Sequence, residues 1–436
     1  MALILITGRD PTGGMGGGSN YVRAHARAAR AAGFDPQIVC LSHEEGETEE
    51  AFGRVCRVRG TGLRPRWSRP SSSGGRLFGE WLAASAATPY TAGWHAGTLA
   101  RAIEARLAGR PPPHVLHGFY TWGAAGLAVR DRLRARGVAA VAIASLYTAC
   151  GHETRAKVHG AEPSLDAAAR AVFAFERLWV AVSARRVERR VYRRSDRVLL
   201  NYESVRRLLA AAHGARPDTR RIPYCAEGAF RDVPAPSSGR GGPGDPPLVV
   251  SISRHDPRKG LDVLLRALDR LRRGGVRFRA VVASGGPLLE RHRELARQLG
   301  LTADVSLPGW LDDPAALVRQ ADIFALPSLQ EGGGAIALLE AMQAGVPAVV
   351  SAVDGLPEDV THGRDGWLVE AGDAGALGNG LGRLIADGPA RARIGREARR
   401  TFERRFASAR LVEALAREYG RLGLMPAVTA RESSPR

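Results

Sequence analysis

The sequence predicts an α/β protein of two doubly wound domains, each a parallel sheet covered by helices on both sides. Three observations carry this reading. Short apolar runs of strand length alternate along the chain with longer stretches of helical pattern. At 436 residues and 44% hydrophobic content, the chain exceeds what one core usually serves. The run VPAPSSGRGGPGDPP over 233–247 has almost no apolar content, and a fresh strand begins directly after it.

In order, ALILIT (2–7) opens the first sheet and a helix follows over 18–32. QIVCL (37–41), HVLHG (114–118), VAAVAIASL (138–146), RVLLN (197–201) and RRIPY (220–224) supply later strands, with long helices over 91–107 and 165–194. Residues 62–75 are rich in Arg, Pro, Ser and Gly and read as a mobile loop. Past the break, LVVSIS (248–253), FRAVVAS (278–284), ADVSL (303–307), DIFAL (322–326) and AVVSA (348–352) form the second sheet. The expected partition is a first domain over 1–225, a linker over 226–247 and a second domain over 248–405. A C-terminal helix over 406–424 is a candidate to pack back on the first domain, and 425–436 is a polar tail expected to be disordered.

Composition excludes several classes. No segment reaches the apolar length needed to span a bilayer, and MALILITGRD has neither the length nor the basic start of a secretory signal, so a cytoplasmic protein is expected. Cys40, Cys56, Cys150 and Cys225 form no C-x-x-C pair, which argues against a disulfide framework and a zinc site. The net charge is +19, yet of 63 basic residues only Lys157 and Lys259 are lysines. So strong a skew looks like coding bias toward arginine and is weak support for a nucleic-acid partner. The sharpest cluster, Arg185, Arg186, Arg189, Arg190, Arg193, Arg194 and Arg197, reads as one helical stripe opposite Val187 and Val191. It is either a solvated face or a contact with acidic lipid, at the inner membrane face, or with an anionic acceptor.

The most informative stretch is LPSLQEGGGAIALLEAMQAGVP (326–347). A buried strand stops at Pro327, then Gly332, Gly333 and Gly334 let the backbone approach a ligand, and AIALLEAMQA forms a helix ending at Gly345. Free amides and a partial positive charge at that helix start suit a nucleotide diphosphate, with Glu331 and Glu340 placed to accept hydrogen bonds from hydroxyls. Glycines alone would equally make a turn into a core helix. Glu340, among the apolar Ile336, Leu338, Leu339 and Met342, requires solvent or a partner. A second group follows the first strand of the second domain: in SRHDPRKG, Arg254 sits at the strand end and Lys259 at the mouth of a helix. Ligands bind at such carboxyl ends of parallel strands, and two cations there could neutralise a diphosphate.

These segments resemble the retaining GT-B glycosyltransferases of glycosyltransferase family 4 over nearly the whole chain. The carriers are GGMGGGSNY (13–21), SRHDPRKG, ASGGPLLE (283–290), SLPGWLDD (306–313), PSLQEGGGAIALLEAMQAGVPAVVS and GLPEDVTHGRDGWLV (355–369), in that order and spacing. The resemblance implies two Rossmann-like domains facing across a cleft, the second holding a nucleotide-sugar donor and the first an acceptor. It implies that Arg254 and Lys259 grip the diphosphate beside Ser253 and that Glu340 binds the ribose. Amides of Gly332, Gly333, Gly334 and Ala335, with Glu331, would face phosphate and sugar. Gly309 and Trp310 would meet the base, and Gly16 and Gly17 would close over the diphosphate. A histidine near the transferred sugar is expected to be His152, with His117 as the rival. One departure stands out: eight residues separate Glu331 from Glu340, where the family usually has seven.

The chain contains no Asp-x-Asp pair, so no metal and no cofactor are expected. The expected reaction is metal-independent hexosyl transfer with retention. Its acceptor, a saccharide, a lipid-linked sugar or a small metabolite, is left open, as is the oligomeric state. The closest enzymatic alternative is a nucleotide-sugar epimerase or hydrolase on the same scaffold. A dinucleotide oxidoreductase fits less well, because Ser19 falls where a G-x-G-x-x-G motif needs its third glycine. No module for nucleic acid is recognisable, so no nucleic-acid partner is expected.

Overall fold

The structure, a computed structural model, describes residues 1–12, 17–60, 91–158, 174–175, 177–216, 218–225, 227–230 and 244–425. Gly16, the loop over 62–75, the first part of the helix expected over 165–194, most of the expected linker and the tail beyond 425 lie outside them. The chain divides into two compact units. One comprises Met1–Thr154, Ser164–Glu227 and Ser408–Arg436, the other Arg155–Pro163 and Gly228–Ala407.

Unit 1 is built on strands β1 (Ala2–Ile6), β2 (Pro36–Ser42), β3 (Gly46–Glu50), β4 (Gly53–Arg59), β5 (His114–Phe119), β6 (Ala140–Leu146), β7 (Arg197–Leu200) and β8 (Thr219–Arg221). Among the described residues they form one sheet in the order β3-β4-β2-β1-β5-β6-β7-β8. All neighbours are parallel except β3 and β4, an antiparallel hairpin that makes this sheet mixed rather than purely parallel. Sequence pattern missed the hairpin for a physical reason. Its edge strand, GETEE, carries no buried face and is held by Arg30 and Arg54 on Glu49 and by Arg106 on Glu47. A charged edge strand of this kind also resists pairing with a foreign chain.

Helices α1 (Gly17–Ala31), α2 (Ala92–Leu107), α3 (Gly123–Ala135), α5 (Arg185–Arg194) and α6 (Glu203–His213) belong to this unit, as does α4 (Cys150–Val158) as far as Thr154. One core joins Ile4, Ile6, Val39, Leu116 and Trp122 to Leu99 and Ile103 of α2. Another joins Ala144, Leu146 and Val198 to Val191 and Leu209. Before α5 the helix passes through a π-turn at Val180–Ala184. The arginine stripe needs one correction: Arg197 opens β7 and is not on the helix, because Ser195 leaves helical geometry at α5's end with ψ 141.

Unit 2 contains β9 (Leu248–Ile252), β10 (Arg279–Ala283), β11 (Val305–Gly309), β12 (Ile323–Leu326), β13 (Ala348–Ser351) and β14 (Trp367–Val369). They are all parallel, in the order β11-β10-β9-β12-β13-β14. The order reverses between β9 and β12, so the crevice beyond their carboxyl ends is where a ligand is expected in such a sheet. Strand β11 starts two residues later than its apolar run suggests, since the amides of Asp304 and Val305 are bound in a turn to Leu301 O. The unit's helices are α7 (Leu261–Arg273), α8 (Leu289–Gln298), α9 (Pro314–Gln320), α10 (Ile336–Gln343), α11 (Leu356–Asp359), α12 (Ala374–Ala386) and α13 (Gly388–Arg405). Leu264, Leu265 and Leu268 of α7 pack with Val249, Val282, Ile323 and Val349 of the sheet and Leu377 and Leu381 of α12.

The last helix, α14 (Ser408–Arg421), returns to unit 1 and packs on α1. Leu411, Leu415 and Tyr419 are fully buried there, and the Tyr419 hydroxyl lies 2.7 Å from Nδ1 of His117. No described helix is long and apolar enough to cross a membrane.

Candidate active site

The unit 2 site starts from two loops stitched together at the strand ends. After β9, Asp256 caps a short 3-10 turn, Pro257–Lys259, by accepting the Arg258 amide. Gly260 follows with φ 58, and a Cβ there would lie 2.2 Å from the carbonyl oxygen of Pro327. This close approach lets Arg258 O accept hydrogen bonds from the amides of Leu329 (2.7 Å) and Gln330 (3.2 Å) in the loop after β12. The result is that Lys259 Nζ reaches Glu331 Oε1 at 2.5 Å, in a pair whose side chains are 13% and 5% exposed. Ser328 Oγ donates to the same oxygen at 2.5 Å. A pair this buried, with an additional hydrogen bond, is strongly oriented.

The glycine loop is held from its other side. Asp354, in the loop after β13, accepts the amides of both Glu331 and Gly332 on one oxygen at 2.7 Å each. Asp354 itself takes the left-handed φ of 49, uncommon outside glycine. Next to it, the Gly355 amide bonds to Gly333 O at 3.1 Å. The amides of Gly333, Gly334 and Ala335 make no hydrogen bond among the described residues, and Ala335 is the N-cap of α10. Glu340 lies half-buried on that helix, where a Cβ on Gly228 would come 3.8 Å from its Oε1. Gln343, one turn on, donates to Gly228 O at 3.2 Å.

Other expected residues occupy the same ends of neighbouring strands. Ser253 is buried after β9, whereas Arg254 is 64% exposed and only 4.0 Å from Asp256. The two cations therefore differ: Lys259 is committed to Glu331 and Arg254 extends to solvent. Gly309 ends β11 with φ 85 and accepts the Ser284 amide, and Trp310 beyond it is 56% exposed. Sequence reading did not find the buried pair His255 and His292, whose Nδ1 atoms lie 2.8 Å apart. Burial pushes both below the ordinary histidine value, His255 to about 4.

In unit 1, Gly17 is exposed as the first residue of α1. His152 is half-buried in the first turn of α4, whose Cys150 amide is capped at 2.8 Å by the fully buried Glu188. The second Glu188 oxygen lies 2.7 Å from His213 Nε2. His117, by contrast, is fully buried with one ring nitrogen at the Tyr419 hydroxyl and the other 2.8 Å from Ser145 Oγ.

Residues 238–401 match the family described as glycosyl transferases group 1, and residues 16–225 match the glycosyl transferase 4-like domain. The chain belongs to glycosyltransferase family 4. It is 33% identical over 250 residues to the GDP-mannose-dependent alpha-(1-6)-phosphatidylinositol monomannoside mannosyltransferase of Mycolicibacterium smegmatis, a match covering 53% of this chain and 65% of that protein. Over 212 residues it is 34% identical to the D-inositol 3-phosphate glycosyltransferase of Mycobacterium bovis, covering 45% and 42% of the two chains. The matched part thus spans less than two thirds of these relatives. In fold, this family 4 glycosyltransferase superposes on a sucrose-phosphate synthase from Thermosynechococcus elongatus with TM-score 0.72 at 20% identity, covering 97% of this chain and 99% of that one. It also superposes on Anabaena HepE in complex with UDP and glucose, with TM-score 0.66 at 17% identity, covering 97% and 100%. These likenesses identify the GT-B fold of two parallel-sheet α/β domains.

Proposed function

We propose that this family 4 glycosyltransferase moves a hexosyl group from a nucleoside diphosphate sugar to an acceptor hydroxyl, with retention of configuration and without a metal ion. The observation that carries the donor site is the Lys259–Glu331 pair at the point where the unit 2 strand order reverses, beside the open amides of Gly333, Gly334 and Ala335. In this reading the donor diphosphate draws Lys259 away from Glu331 and lies against those amides, and Arg254 swings in from solvent. Glu340 accepts hydrogen bonds from the ribose, Gly309 and Trp310 meet the base, and the freed Glu331 faces the sugar.

The bond from the anomeric carbon to the phosphate oxygen breaks, and the acceptor oxygen bonds to that carbon on the same face. The acceptor proton passes to the departing phosphate, whose charge Lys259 and Arg254 stabilise. Bound UDP in the HepE structure and the GDP-mannose dependence of the mycobacterial relative support a nucleotide-sugar donor and name the two bases to try first. Melting temperatures measured with UDP, GDP, UDP-glucose and GDP-mannose test it. One nucleotide is expected to stabilise the protein, and Lys259→Ala and Glu340→Ala to abolish the shift. Stabilisation unchanged in both variants, or donor consumption that needs no acceptor, would overturn the reading.

The exposed Arg186, Arg189 and Arg190 of α5 support a cytoplasmic enzyme that touches the inner membrane face. Binding to vesicles with anionic lipid, lost on reversing these three charges, is the expected result. Equal binding to neutral vesicles would count against it.

A further inference from the structure

The loop after Glu331 runs through Gly332, Gly333 and Gly334 before α10 begins, so its backbone amides have no helical partners of their own. Two consecutive amides, those of Glu331 and Gly332, converge on a single carboxylate oxygen of Asp354. Gly332 is buried, so solvent cannot replace that acceptor. Asp354 reaches it from an unfavourable left-handed backbone, a conformation that persists where the surroundings enforce it. The Glu331 amide and the Glu331 carboxylate belong to one residue, and the carboxylate is the partner of Lys259. Whatever fixes the amide therefore fixes the point from which the carboxylate reaches the cation.

We propose that Asp354 is a positioning residue of the donor site, holding the glycine loop so that Glu331 meets Lys259. It rests on the donor-site reading only for its catalytic meaning. The carboxylate occupies the amides of Glu331 and Gly332, which leaves those of Gly333, Gly334 and Ala335 as the backbone donors for a diphosphate. Asp354 makes no bond in the reaction and acts through Glu331.

The two lysines of the chain give a direct assay that needs no substrate. Acetylation of Lys259 by limiting acetic anhydride, read by mass spectrometry against Lys157 as internal reference, reports how firmly Glu331 holds the amine. Asp354→Ala is expected to raise relative Lys259 labelling about tenfold, to the level of Glu331→Gln. Asp354→Asn keeps a carbonyl acceptor for the same amides and is expected to stay within about twofold of the unmodified protein. The double variant Asp354→Ala with Glu331→Gln should label no faster than Glu331→Gln alone, because one residue acts through the other. Labelling of Asp354→Ala at the original rate, or additive effects in the double variant, would overturn the proposal. An Asp354→Ala protein that does not fold leaves the decision to Asp354→Asn, for which labelling equal to Glu331→Gln is the overturning result. Protection of Lys259 by UDP or GDP in the unmodified protein is measured separately. Its absence would remove the donor-site reading and leave the positioning claim to be judged by the variants.

Discussion

Gly260 shows how a single residue fixes the site. Its φ of 58 and the 2.2 Å approach of Pro327 O to a would-be Cβ leave room for nothing larger than hydrogen. Gly260→Ala is therefore expected to lower unfolding stability by about 2–3 kcal/mol. It should also weaken nucleotide stabilisation, since Arg258 O would lose the loop that carries Glu331. A urea titration with and without nucleotide checks both, and an alanine variant of unchanged stability would contradict the contact. Lys259 was legible in the sequence because lysine is so rare in this chain and this one adjoins a glycine at a helix mouth. Asp354 was not, because its role depends on a loop more than twenty residues away, and no local pattern marks a carboxylate that binds backbone. His255 and His292 were hidden for the same reason, as their contact joins two separate elements.

Among elements, α14 and the β3–β4 hairpin mark the two ends of legibility. The expected helix over 406–424 is close to α14, whose buried stripe of Leu411, Leu415 and Tyr419 has helical spacing. The hairpin has no such stripe, and its stability comes from ion pairs that pattern cannot see. Leu415→Ala is expected to destabilise unit 1 by about 3 kcal/mol, the usual result of emptying a fully buried leucine site. Hydrogen exchange resolves where the loss falls: faster exchange in α1 and α14 with unit 2 unchanged is the expected pattern. Uniform acceleration in both units would instead point to coupled unfolding.

For the whole molecule, the length of the chain and its alternation of strand and helix foretold two α/β units and their sheets. They did not foretell that unit 1 would be assembled from separated parts of the chain. Both units bury histidines that the fold keeps neutral. Burial pushes His25 of unit 1 to about 4 and His117 well below the ordinary value. Burial, aided by His292, does the same to His255 in unit 2. The unfolded chain takes up these protons near 6.5 and the folded one only well below that, near 4 for His25 and His255, so this stability is complete above 6.5 and is lost as the pH falls below it. Each such histidine contributes a slope of up to about 1.4 kcal/mol per pH unit. Denaturation at pH 7, 6 and 5 is expected to show falling stability, and a flat profile would refute it.

The return of α14 to unit 1 also orders events during synthesis. Domains commonly fold as they leave the ribosome, first residues first. Here the pocket around Phe34 and His117 is closed by Tyr419, which is translated after the whole of 228–407. The first unit to emerge is thus the last to be finished, and a nascent chain halted anywhere before Ser408 presents α1 with its apolar seat still empty.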